Sequence, residues 1–419
     1  MRGKNKELIL ILIYILIFVT AFTDLRYYLG HSGLWRLLHH ASVLGLTFLC
    51  VMGRITSGSL SRGFLPNYLA FFVFYELLVS ALQSMFVIPM IFIDAVPWPI
   101  VFAFFYDYAR INKLPDLMGR LTVLGLTGVC LLSIPNILIQ HRGKNGGALY
   151  ATYYCFAFLP LLYMFCSRRI SALFTLLVIL LMLLSLKRAA FIIVVGGVFL
   201  YSIVSVYVRS ASRKRDRMFV LIFAGGICAA VLGVLLINRL HLNILKRLMG
   251  IFSDGGSGRT RIWRIVLEHF NESPLTQKVF GHGFHSVFYK VQTASIKRFA
   301  HNSLLETMYD YGVFGLLMVI FLMMLIIGAT LMMIAMKYKY APMMAFSLFP
   351  MGVLSLASYF FEQSYIILPI CAMWGIAMGS FMGKDHADPG DAGRMQGSLQ
   401  YTYTPLPAQK SEKKMEQSG

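Results

Sequence analysis

What this chain can fold into is constrained most by its long uncharged stretches. From Val313 to Ala335 there is no charged residue. A helix crosses the hydrocarbon of a bilayer with about 20 apolar residues, so this run is long enough. Similar runs start near Leu8, His39, Leu65, Val87, Leu117, Leu149, Ile170, Ala189, Met218, Ala341 and Tyr365. In lipid every backbone amide and carbonyl must be satisfied within the segment, which leaves helices as the reading for each. Composition agrees: 13% of residues are charged and 58% hydrophobic, against about 25% charged in a soluble domain. The expectation is an all-α polytopic integral membrane protein over residues 1–383, with about 12 transmembrane helices. Pro89, Pro97 and Pro99 interrupt the third and fourth spans. Basic Arg2, Lys4 and Lys6 precede the first, as in a signal peptide, but no small-residue cleavage site follows before Asp24-Leu25-Arg26, so it reads as an uncleaved span. Residues 384–419, polar and rich in Gly and Pro, read as a disordered cytoplasmic tail.

The basic residues give an orientation. Cytoplasmic loops carry an excess of Lys and Arg, and the clusters around Lys4, Arg54, Arg110, Arg168, Arg213 and Lys337 all fall on one side if both termini are cytoplasmic. The exceptions lie on the other side: Arg26, Arg36, Arg142 and Lys144 are scattered there, and two more are clustered. One is Lys187-Arg188, at a tight junction between spans seven and eight. The larger one is the long break between spans nine and ten, about residues 238–312. Between Asn238 and Ala300 it holds ten Lys and Arg against Asp254, Glu268 and Glu272. An extracytoplasmic loop this basic suggests a bound anion. An arginine as close to hydrocarbon as Arg188 is costly without a partner. The six cysteines lie in or beside apolar runs without metal-ligand spacing and read as packing residues.

Motifs on that same face narrow the reading. Ser257-Gly258-Arg259-x-x-x-Trp263 precedes an amphipathic stretch and Ser273-Pro274-Leu275. A glycine turn, Phe280-Gly281-His282-Gly283-Phe284, follows. His301-Asn302-Ser303-Leu304-Leu305-Glu306 then leads through Tyr311-Gly312-Val313-Phe314-Gly315 into a span. With Ser185-Leu186-Lys187-Arg188-Ala189 upstream, this series resembles the O-antigen ligase and polymerase family of polytopic membrane glycosyltransferases, over about residues 185–383. His282 departs from the family pattern, where smaller residues are commoner, and the loop is short. The resemblance implies transfer of a glycan from an undecaprenyl diphosphate carrier to an acceptor sugar, outside the cytoplasm, with no nucleotide sugar, cofactor or divalent metal.

The residues suit that chemistry. A diphosphate donor gains charge as its glycosidic bond breaks, and arginine's planar fork binds phosphate bidentately at any pH. The loop's few acids contain no Asp-x-Asp pair to hold a cation. Arg188 and Arg259 are the expected diphosphate ligands, with Arg261 and Arg264 as alternatives on one helix face. His301 is the expected general base toward the acceptor hydroxyl, with Asn302 and Glu306 as supporting residues. His282 and His285 are expected to structure the loop, and Trp263 and Phe284 to pack it. Glu76, Asp94 and Asp107 lie in or at the ends of spans and carry no assigned role. The expected partners are the lipid-linked donor, a glycan acceptor and the bilayer. No nucleotide fingerprint, P-loop or nucleophile elbow appears, and no nucleic acid is expected. The expected activity is polymerisation of lipid-linked repeat units into a capsule, exopolysaccharide or O-antigen. The alternatives are a ligase acting on lipid A-core and a flippase or exporter of the same lipid-linked sugars.

Overall fold

The structure is a computed structural model describing residues 3–30, 33–57, 63–83, 87–142, 151–185, 188–209, 259–291, 299–361 and 364–383. The predicted span starting near Met218, the Ser257-Gly258 pair, Lys187 and the tail from Lys384 lie outside them. Every regular element described is a helix. Seven stretches are long and apolar enough to cross a membrane: Asn5–Tyr27, Gly33–Thr56, Phe64–Gln83, Ile88–Ile111, Leu117–Ile137, Ala189–Arg209 and Ser303–Ala335. Thr152–Phe165, Ala341–Ala357 and Ile366–Met382 are shorter apolar helices. The all-helical expectation therefore holds, and several apolar helices make this a multi-pass membrane protein. The prolines act where they were expected to. The Ile88–Asp94 helix stops, and a new one starts at Pro97 with Pro99 in its first turn, where a missing amide proton costs nothing.

Close helix packing sets the architecture. Between helices in lipid there is little hydrophobic drive, so small residues that let backbones approach gain the most contact. Gly375, Gly379 and Gly383 form such a stripe. A Cβ at each would lie 2.5, 2.3 and 2.3 Å from the carbonyl oxygens of Phe102, Tyr106 and Arg110. The Ser364–Met382 and Pro97–Ile111 helices thus run side by side in the same direction. The Arg188–Arg209 helix instead runs antiparallel to Ala341–Ala357. Phe349 and Phe346 press on Gly196 and Gly197, and the Lys337 amine lies 5.9 Å from the Tyr207 ring. That register brings the Arg188 end of one helix to the Ala357 end of the other.

Polar groups in the spans are partnered in particular ways. Arg54 Nε binds Asp107 at 2.9 Å, near the ends of their helices. Asp24 accepts from the Tyr154 hydroxyl and lies near Asp94. Glu76 is buried against Tyr311, with one carboxyl oxygen unbonded. The described cysteines form no disulfide.

Candidate active site

A second, small apolar core lies apart from the main one and builds the site. Ile262, Val266 and Phe270 form one face of the Arg259–Glu272 helix and pack on Val287, Val291, Ala300 and Tyr309. At 100° per residue those three positions and Trp263 share a stripe. Trp263 completes the anchor, its indole donating to the Ala300 carbonyl at 2.8 Å. Arg259 opens the helix one turn before Trp263, on the same stripe, and is half-buried. Arg261 and Arg264 lie on the opposite face and are exposed. Of the three arginines on this helix, only Arg259 is thus on the side of Ala300.

His301 follows Ala300 in a left-handed backbone conformation, φ 53°. A non-glycine residue there is sparsely populated and marks a turn held by its surroundings. Four residues hold it. Asn302 is the N-cap of the Ser303–Ala335 helix, its side chain accepting from the Leu305 amide at 3.0 Å. Glu306, on the first turn and 1% exposed, accepts from the Ala300 amide. Its carboxylate also accepts from the His301 amide and the Tyr359 hydroxyl. The Tyr359 ring lies 5.0 Å from the His301 ring. Ser303 Oγ accepts from the Phe360 amide at 2.9 Å, tying down the same turn. Glu306 thus organises the backbone around His301 and offers no open carboxylate. The His301 ring itself is half-exposed.

The glycine turn supports this site from below. Gly281, at φ 89°, and Gly312, at φ 71°, are places where the chains touch. A Cβ on Gly281 would lie 2.2 Å from the Asp310 oxygen, and one on Gly312 2.2 Å from the Val279 oxygen. His282 is a loop-structuring residue. Its ring bonds the Ser273 hydroxyl at 2.9 Å and the Tyr309 carbonyl at 3.0 Å, stacked on the Tyr309 ring. His285, left-handed at φ 56°, is sandwiched by Phe284 and Phe299. Burial pushes the pKa of His282 down and that of His285 down to about 3, so both rings are neutral. Phe284 is buried packing.

Two contributors were not picked out in the sequence. Asp310, 1% exposed, accepts from the amides of His285 at 2.7 Å and Val287 at 3.3 Å. An acid at the mouth of an apolar run was its available signal. Tyr359 lies in the break after Ala357, and only the fold brings it to His301.

Arg188 opens its helix at the end of the bundle where Ala357 leads to Tyr359. The candidate residues Arg188, Arg259, His301, Asn302 and Glu306 therefore gather at one end, while Arg261 faces away.

Residues 172–320 match the family described as O-antigen ligase. The matched stretch runs from the helix before Arg188 past His301 and into the Ser303–Ala335 helix. It supports membership of the O-antigen ligase and polymerase family, with a function of that type in polysaccharide assembly. No curated protein matches the chain.

Proposed function

We propose that this chain is a membrane glycosyltransferase that extends a surface polysaccharide. In this reading an undecaprenyl diphosphate-linked oligosaccharide is the donor, and the growing glycan's terminal sugar hydroxyl is the acceptor. One observation carries it. A half-exposed histidine sits in a backbone turn fixed by buried hydrogen bonds, beside a helix whose inward arginine is Arg259 and at the bundle end where Arg188 opens another.

The chemistry divides among these residues. His301 takes the acceptor's proton as the hydroxyl attacks the anomeric carbon. The bond from that carbon to the diphosphate oxygen breaks, and the leaving diphosphate gathers charge. Arg188 and Arg259 stabilise it, a task that needs charge but no proton transfer. Glu306 and Asn302 hold the His301 turn and do not act on substrate. Because arginines carry the leaving group's charge, no metal is required in this scheme. Twelve spans, cytoplasmic termini and an extracytoplasmic site complete the proposal, as the basic-residue bias favours.

The test is to incubate purified protein with a lipid diphosphate oligosaccharide and follow the glycan by gel. Longer chains on the lipid support polymerisation. The family match favours one second reading, ligation: with lipid A-core added, transfer to that acceptor without lengthening would replace the first. Neither product, with movement of the lipid across vesicles instead, would mean a flippase and defeat both.

A further inference from the structure

The stretch after the Arg259–Glu272 helix, a short Leu275–Phe280 helix running into the glycine turn, contains large apolar residues that the protein leaves uncovered. Leu275 is 77% exposed and Phe280 52% exposed. Three contacts with the Phe64–Gln83 helix fix its depth. The Tyr75 hydroxyl donates to the Phe280 carbonyl at 3.2 Å. The Phe284 amide donates to Ser80 Oγ at 3.0 Å. The Lys290 amine donates to the Gln83 carbonyl at 3.2 Å. The segment therefore climbs alongside that helix from Tyr75 to its end, a rise of about 12 Å.

The helix it climbs is apolar on its outer side throughout. Phe71, Phe74, Leu78 and Leu82 form an exposed stripe at helical spacing, and such a stripe on a membrane span faces lipid. Leu82 lies near the top of the climb and Phe280 at the bottom. Phe280 is also level with Gly312, where an added Cβ would run into the Val279 carbonyl and the Phe280 amide. Val313 and Phe314, the next residues, are exposed apolar positions on their own span.

From Gly281 to Val287 the backbone meets the demand of such a location. Non-helical chain at membrane depth requires every amide to be satisfied by protein. Gly281 donates to the Gln277 carbonyl, His282 and Gly283 to that of Asp310, and Ser286 to that of Gly283. Phe284 donates to Ser80, and His285 and Val287 to the Asp310 carboxylate. No amide from Gly281 to Val287 is left for water.

We propose that the Pro274–Phe284 segment is re-entrant: it dips into the leaflet at the loop end and lays Leu275 and Phe280 against phospholipid acyl chains. Lys278, half-buried on the same short helix, sends its amine up to the headgroups on its flexible stem. The arrangement rests on the chain being a membrane protein and is independent of the reaction proposed above.

The test uses the full chain in phospholipid vesicles. Phe280→Trp and Leu275→Trp each place a reporter at an exposed position where no packing is lost. Glu268→Trp, on the exposed face of the Arg259–Glu272 helix, is the aqueous control. The fluorescence added over the parent chain is challenged with acyl-chain-brominated phospholipid and with iodide. Re-entry requires the bromolipid to quench the added signal at position 280 several-fold more than iodide does, with the reverse at position 268. Iodide quenching at 280 equal to that at 268 overturns the proposal. Should Phe280→Trp not fold, the same comparison at position 275 decides.

Discussion

The sharpest consequence of the glycine turn is a pair of substitutions on one helix with opposite signs. Gly312 has φ 71° and ψ −176° within the Ser303–Ala335 helix, a conformation that essentially only glycine adopts. Forcing alanine into it costs about 1–3 kcal/mol. The added Cβ would also lie 2.2 Å from the Val279 oxygen, 2.4 Å from its carbon and 2.6 Å from the Phe280 nitrogen. These are backbone atoms that no rotamer change moves, so overpacking adds about 1–3 kcal/mol more. Gly312→Ala should therefore destabilise by about 2–6 kcal/mol. Gly328 is in ordinary helix further along, and a Cβ there meets nothing within 4 Å. Gly328→Ala should stabilise by about 0.5–1 kcal/mol through lost backbone freedom in the unfolded chain. Thermal unfolding of both purified variants in one detergent measures the two shifts side by side. If Gly312→Ala melts at or above the parent, the packing of Val279–Phe280 on this turn is wrong. The site built on that turn would fall with it.

Other consequences follow from the site. His301→Asn keeps the left-handed turn, which asparagine tolerates, but removes the base; transfer should drop roughly 10²–10⁴-fold with the melting temperature unmoved, and near-parental chain extension would exclude His301 as the base. Arg259→Lys should lose most transfer although charge is kept, because the bidentate fork is gone; full activity would make Arg259 a helix-start residue only, and Arg261→Lys, on the exposed face, should stay active. Glu306→Gln replaces a carboxyl group that accepts from two amides and a hydroxyl by a group with one acceptor oxygen; each lost hydrogen bond costs about 0.5–1.5 kcal/mol, so the variant should melt lower, whereas a parental melt with lost activity would point to proton transfer by Glu306. Finally, His285 is neutral in the fold, so the unfolded chain binds the extra proton: stability is complete above pH 6.5 and declines as pH falls toward about 3, by at most about 1.4 kcal/mol per pH unit. His285→Leu should flatten that limb in melts taken from pH 7 to 4, and an unchanged limb would assign it to other groups.

The helical class was legible because it follows from a solvent constraint: an apolar run long enough to span has one way to satisfy its backbone. Sidedness of side chains on the loop helix was legible too, but only once a single contact fixed the phase. Arg259, Arg261 and Arg264 are chemically equal in the sequence. The Trp263 indole bond to Ala300 sets the rotation, and the 100° step then turns Arg259 inward and the other two out. Asn302 and Glu306 read equally well as substrate ligands or as turn-holders, since the residue types serve both. Burial separates the readings: a carboxyl group at 1% exposure, already bonded to the turn's amides, is out of a sugar's reach.

What escaped the sequence shares one physical cause. Asp310, Tyr359 and Tyr75 act through groups more than 20 positions away along the chain, across elements whose relative depth no local pattern records. Asp310 is an example: the two amides it accepts, of His285 and Val287, belong to a turn with its own glycine signal. Nothing in that signal says which carboxylate will fill it. The same gap hid the depth of the loop. Polar and basic residues on either side marked the whole stretch between spans nine and ten as outside the hydrocarbon. Yet Leu275 and Phe280 sit in it uncovered, and the amides that follow, from Gly281 to Val287, are all satisfied. Hydropathy averages over a window and so reports the flanks. Hydrogen-bond completeness is set residue by residue, and it is the property that a bilayer demands of irregular backbone.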